Sequence, residues 1–119
     1  MGETFAEVIL RANGKELKKK LLVDTGSTFS WISADILRQL GVKPVDEEEL
    51  ETIEGRVIRR KIGFLEMECL GKTGPSGVIF AKTKDSEVLG LHALEGLRLE
   101  VDPYRNRLKK SRAIKALFG

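Results

Sequence analysis

Asp24-Thr25-Gly26-Ser27 puts a carboxylate, two hydroxyls and a glycine into four consecutive positions. Those groups at that spacing could hold a carboxylate in place for general acid–base chemistry. Gly26 permits a backbone shape that a side chain would oppose, and it leaves amide N–H groups accessible beside the acid. Thr25 and Ser27 offer hydroxyls at short range. A carboxylate fixed from one side in this way keeps its other side open to a reactant. The same triplet also suits an ordinary Asx turn that ends a strand, so its surroundings decide what it means.

The surrounding elements can be read from periodicity and turn chemistry. Thr4 to Ala12 and Lys15 to Val23 flank Asn13-Gly14, a dipeptide suited to a type I′ hairpin turn. The second strand, ending Leu21-Leu22-Val23, leads straight into Asp24. Phe29 to Ile32 reads as a short strand. Ser33 can cap a helix from Ala34 to Leu40, with Gly41 at its end and Pro44 beyond. Asp46 to Arg60 is charged, has few apolar anchors and is expected to face solvent. From Ile62 the period is two, with Leu65, Met67 and Cys69 on one face and Glu66 and Glu68 on the other. Gly71 to Gly77 reads as a turn before a returning strand, Val78 to Ala81. Val88-Leu89-Gly90 reads as a short buried strand, His92 to Gly96 as a brief helix, and Leu97 to Val101 alternates again. The pattern predicts an all-β chain of many short strands with one or two short helices.

The totals bound the function. A chain of 119 residues makes one domain with a modest core. Apolar residues at 41% and charged residues at 33% describe a globular chain rather than a disordered one. No apolar run approaches the roughly 20 residues of a membrane span, and no secretory segment is evident at the start. The Met-Gly start is followed by Ala6, so the myristoylation pattern fails. A single cysteine, Cys69, excludes an internal disulfide, and a single histidine, His92, leaves no Cys/His cluster for zinc. The expectation is a cytoplasmic protein with no metal, no cofactor and no membrane contact. The net charge of +3 does not by itself imply nucleic acid. Asp46 to Glu49 is acidic, and Arg105 to Lys115 carries six basic residues and no acidic one; both are expected to be solvated surface. Leu108, Ile114, Leu117 and Phe118 would let the tail form a short amphipathic helix or a dimer arm. His92 is expected to be structural, and Cys69 and Trp31 to lie in the core.

The order of these elements resembles the retropepsin-like aspartic proteases, single-domain relatives of pepsin that include the retroviral enzymes. The hairpin Phe5 to Val23, the Asp24-Thr25-Gly26-Ser27 turn, a charged segment around Gly55, the pair Phe64 to Cys69 and Val78 to Ala81, and Val88-Leu89-Gly90 follow the family's order. "VLGLHALEGLRLEVDP" is similar to the C-terminal half of small prokaryotic members. The resemblance implies a closed, β-barrel-like acid-protease fold over residues 1–102, followed by a basic extension over 103–119. It implies that Asp24 is catalytic and that Thr25, Gly26 and Ser27 support it. Thr25 would bond across to a partner loop, and Ser27 would donate to the carboxylate. Ile53, Glu54, Gly55 and Arg56 would form the tip of a flap over a peptide or protein substrate. Only one Asp-Thr-Gly triplet is present, so such a protease would be a homodimer. Two departures stand out. The acid–arginine pair typical of retroviral members is replaced by Thr28-Phe29-Ser30 and Leu91-His92-Ala93, and the flap has one glycine. Two alternatives to an aspartic endopeptidase remain: a catalytically weak binding or dimerisation module, and a nucleic-acid binder acting through its basic tail.

Overall fold

The computed structural model describes residues 2–112. Two tight turns set the main registers. Asn13 and Gly14 both have positive φ, 53° and 72°, as a type I′ turn requires. They join β1 (Phe5–Ala12) to β2 (Lys15–Val23), pairing Phe5 with Leu22 at one end and Ala12 with Lys15 at the other. In this register Val8, Leu10 and Leu21 point inward and are buried; each contributes about 2 kcal/mol of apolar burial. The second turn, Leu70-Gly71, has φ values of 52° and 76° and joins β5 (Val57–Cys69) to β6 (Lys72–Ala81). The expected turn at Gly71 to Gly77 is therefore only its first residue, and Thr73 to Gly77 lie in β6. Gly74 serves packing there: a Cβ on it would come within 2.7 Å of the Gly96 carbonyl.

The remaining elements are β3 (Ser30–Ser33), α1 (Ala34–Gln39), β4 (Asp46–Glu51), β7 (Val88–Leu89), α2 (Leu91–Leu97), β8 (Leu99–Asp102) and β9 (Arg107–Lys110). Seven strands bond in the order β1-β2-β7-β3-β6-β5-β4. A further pairing of β1 with β5, from Ile9–Glu68 to Arg11–Glu66, closes six of them into a ring and leaves β4 outside. Most neighbours are antiparallel, but β2–β7 and β3–β6 are parallel. The expected all-β class holds, as a ring of strands around one apolar core compatible with an aspartic protease fold. Leu65, Met67 and Cys69 face that core, as their alternation predicts. Burial pushes the Cys69 thiol pKa up. Trp31 is only half-buried rather than a core residue.

Both helices are held by contacts that the sequence did not signal. Ser33 occupies the N-cap position of α1, yet its hydroxyl makes no capping bond. Its backbone N–H instead donates to Glu87 Oε2 at 2.9 Å. At the other end Gly41 has φ 73°, and Asn13 Nδ2 donates to the Leu40 carbonyl at 2.9 Å, tying the first hairpin turn to the helix end. Helix α2 runs through Gly96 and stops at Arg98, a left-handed residue with φ 58°. The Arg98 guanidinium stabilises that end by donating to the Gly96 and Thr73 carbonyls.

The charged stretch Asp46 to Arg60 is an ordered hairpin of β4 and the outer half of β5, with Arg59 reaching both Glu47 and Glu49 at 3.0 Å. After β8 the chain turns and returns as β9, placing Leu108 in the core. Residues 107–110 are thus strand rather than the expected helix, because alternation along 107–110 buries Leu108 between exposed basic neighbours. The portion of that expected helix or dimer arm at 113–119 lies outside the described residues.

Candidate active site

Asp24 follows the last residue of β2, and its N–H donates to the Leu89 carbonyl of β7 at 2.9 Å. The chain then turns, closed by Ser27 N–H donating to the Asp24 carbonyl at 3.1 Å. Gly26 N–H donates to Asp24 Oδ1 at 2.9 Å. Among the described residues no hydrogen bond reaches Oδ2. Asp24, Thr25 and Gly26 are all exposed in the single chain. The carboxylate is therefore held from one side and open on the other, as the residue types suggested. One expected contact differs. The Ser27 hydroxyl donates to the Phe29 carbonyl at 2.7 Å and not to the carboxylate. The turn brings that carbonyl within reach two residues on, and the backbone amide of Gly26 takes the place at Oδ1.

A second segment braces the turn from behind. Gly90 N–H donates to Oγ of Ser30, which is fully buried. Leu91 N–H donates to the Ser27 carbonyl at 2.8 Å, and His92 N–H donates to the Thr28 carbonyl at 3.1 Å. The rings of Phe29 and His92 meet edge to face, with centroids 5.4 Å apart. Main-chain bonds and one aromatic contact thus join the two segments. His92 is exposed and packs on Phe29, so its surroundings are less apolar than its sequence neighbours imply.

The expected flap tip is a separate feature. Thr52 N–H donates to the Arg56 carbonyl, Gly55 N–H donates to the Thr52 carbonyl, and Arg56 N–H donates to Thr52 Oγ1. Gly55 has φ 83°, and Ile53 is wholly exposed. Glu54 and Arg56 are exposed as well. Among the described residues no hydrogen bond or ion pair joins this tip to the Asp24 turn.

Sequence reasoning missed the strongest ion pair of the region. Arg60 Nε donates to Asp85 Oδ2 at 2.7 Å, and Nη2 donates to Oδ1 at 2.9 Å. The Arg60 guanidinium holds the Asp85 carboxyl pKa below its ordinary value of 3.8, against a smaller upward push from burial. The two residues are 25 positions apart, and neither carries a local signal of pairing. A cavity of about 680 Å³ opens beside them, between α1, the base of the hairpin and the 82–87 loop. Arg38, Phe80 and Glu87 also line it, and Asp24 does not.

A sequence model of the aspartyl protease family matches residues 8–93, well over half of the chain. The chain belongs to the aspartyl protease family. The matched span contains the Asp24 turn, the hairpin tip and Val88-Leu89-Gly90, and it supports aspartic protease activity in general terms. No curated protein sequence gives a significant match. Among the described residues no cluster of His, Cys, Asp or Glu could hold a metal ion, and no helix is long and apolar enough to cross a membrane.

Proposed function

We propose that the chain is a retropepsin-like aspartic endopeptidase that works as a symmetric homodimer. Two copies of Asp24, one from each protomer, would face each other across the two-fold axis. Two carboxylates that close cannot both ionise easily and share one proton. Their titration belongs to the pair. The ionised copy takes a proton from a water between them, and that water attacks the scissile carbonyl. The protonated copy polarises the carbonyl oxygen and later supplies the proton that lets the amine leave. Every proton is accounted for without a covalent intermediate. Thr25 bonds across to the partner loop, Gly26 presents its backbone to the peptide, and Ile53, Glu54, Gly55 and Arg56 close over the peptide as a flap.

The observation that carries this reading is the Asp24 carboxylate itself. It is exposed, held at one oxygen by the Gly26 amide, and set on the only Asp-Thr-Gly of a chain in this family. The test is Asp24→Asn, assayed against a peptide library beside the wild type. Hydrolysis should fall by about 10³-fold or more, while circular dichroism and dimer mass stay unchanged. Wild-type rates in the variant would remove Asp24 from the reaction.

A further inference from the structure

The β4–β5 hairpin leaves the ring at Ile62, the outermost residue of β5 that pairs with β6. Asp46 pairs with Ile62 at the base, and beyond it the strand residues 47–51 and 57–61 pair only with one another. No residue from 46 to 61 belongs to the buried core. Arg59 spends its bonds within the hairpin, on Glu47 and Glu49. Among the described residues, one side-chain link runs from this hairpin to another element, and it is the two-point bridge from Arg60 to Asp85. Both side chains are largely buried, at 13% and 15% exposed.

The far end of the bridge is anchored. Asp85 Oδ2 also accepts the Lys82 N–H at 2.8 Å, which fixes the 82–85 turn. Two residues on, Glu87 accepts the Ser33 N–H and pairs with Lys19 at 3.1 Å. The next residues are β7, whose Leu89 carbonyl accepts the Asp24 N–H. A continuous series of contacts therefore runs from the hairpin, through the 82–87 loop, to the turn that bears Asp24.

We propose that Arg60 is a positioning residue: its bridge to Asp85 holds the β4–β5 hairpin at a fixed angle to the Asp24 turn and so sets how tightly a peptide is gripped. This rests on the protease reading of that turn. A planar guanidinium bonded at two points fixes orientation as well as distance, which the single ammonium of a lysine does not. Hairpin contacts act on the bound peptide before and during reaction alike, so loosening them weakens binding rather than chemistry.

The experiment compares wild type, Arg60→Lys and Asp85→Asn. The asparagine keeps an oxygen for the Lys82 N–H and so spares the turn. Peptide kinetics and deuterium uptake by segment are measured on each. Both variants should raise KM about fivefold with kcat within about twofold, and uptake should rise in residues 46–61 but not in β1 and β2. Unchanged uptake in 46–61 overturns the proposal. So does a fall in kcat at constant KM, or uptake that rises throughout the chain, since either marks a merely structural role. If the wild type shows no Asp24-dependent hydrolysis, the protease reading fails by itself, and the uptake comparison still decides whether the bridge holds the hairpin.

Discussion

A methyl group at residue 90 has nowhere to go. It would lie 2.4 Å from the Phe29 carbonyl oxygen and 2.8 Å from that of Ser27. Both are backbone atoms, so no side chain can rotate away to make room. Gly90→Ala should therefore lower stability by about 2–3 kcal/mol, seen as a Tm drop of about 10 °C, and should reduce peptide hydrolysis because the Asp24 turn rests on this contact. A Tm unchanged within error would show that the two segments can part freely. Gly26 differs, because a Cβ there would meet only Asp24 Oδ1, at 3.2 Å. Asp24 and Gly90 were legible because short motifs carry them. Ser30 was not, because nothing in Phe29-Ser30-Trp31 marks a hydroxyl whose partner, the Gly90 amide, lies sixty residues away.

The two type I′ turns show the same limit among the elements. Asn13-Gly14 announces itself, while Leu70-Gly71 adopts the same shape without the usual residue. A leucine in the left-handed region is strained, and Leu70 is also half-exposed. Leu70→Asn should stabilise the chain by about 0.5–1 kcal/mol, as relief of that strain outweighs a small loss of apolar contact. Chemical denaturation measures this, and a destabilised variant would mean that the Leu70 side chain packs better than its exposure suggests. The hairpin bridge gives a pH prediction. The folded-state pKa of Asp85 is lowered, mainly by its hydrogen bond from Arg60. Its contribution is thus fully present above the ordinary value of 3.8 and is lost as pH falls through the lower folded value. After correction for intrinsic exchange rates, amide protection in residues 46–61 should be level from about pH 5 to 8 and should fall only below about 4. A loss of protection near neutrality would assign the tether to some other group. The pairing of Glu47 and Glu49 with Arg59 was readable only once the register was known, since few apolar residues mark it; Leu50 and Ile58 prove to be cross-strand partners.

For the whole molecule, the ring and the lone Asp-Thr-Gly bear on assembly. Asp24, Thr25 and Gly26 are exposed on the single chain, and under the proposed dimer each chain would supply half of the site. Activity per chain should therefore fall on dilution, in step with the dimer fraction measured by analytical ultracentrifugation. Constant activity under monomeric conditions would count against a shared site. The all-β class was legible because period-two alternation is strong at Leu65 to Cys69. The closure of the ring came only from the family resemblance, because the β1–β5 pairing joins residues near 10 to residues near 67, and alternation carries no information about distant partners. The parallel ladder of Leu22 and Val23 with Val88 and Leu89 has a consequence for biosynthesis. A ribosome adding about 5–20 residues per second takes roughly 3–14 s to get from Asp24 to His92. Until those last residues emerge, the acid turn has no carbonyl at Leu89 and no amides at 90–92 to lock against. A nascent chain therefore carries its carboxylate unassembled for most of its translation.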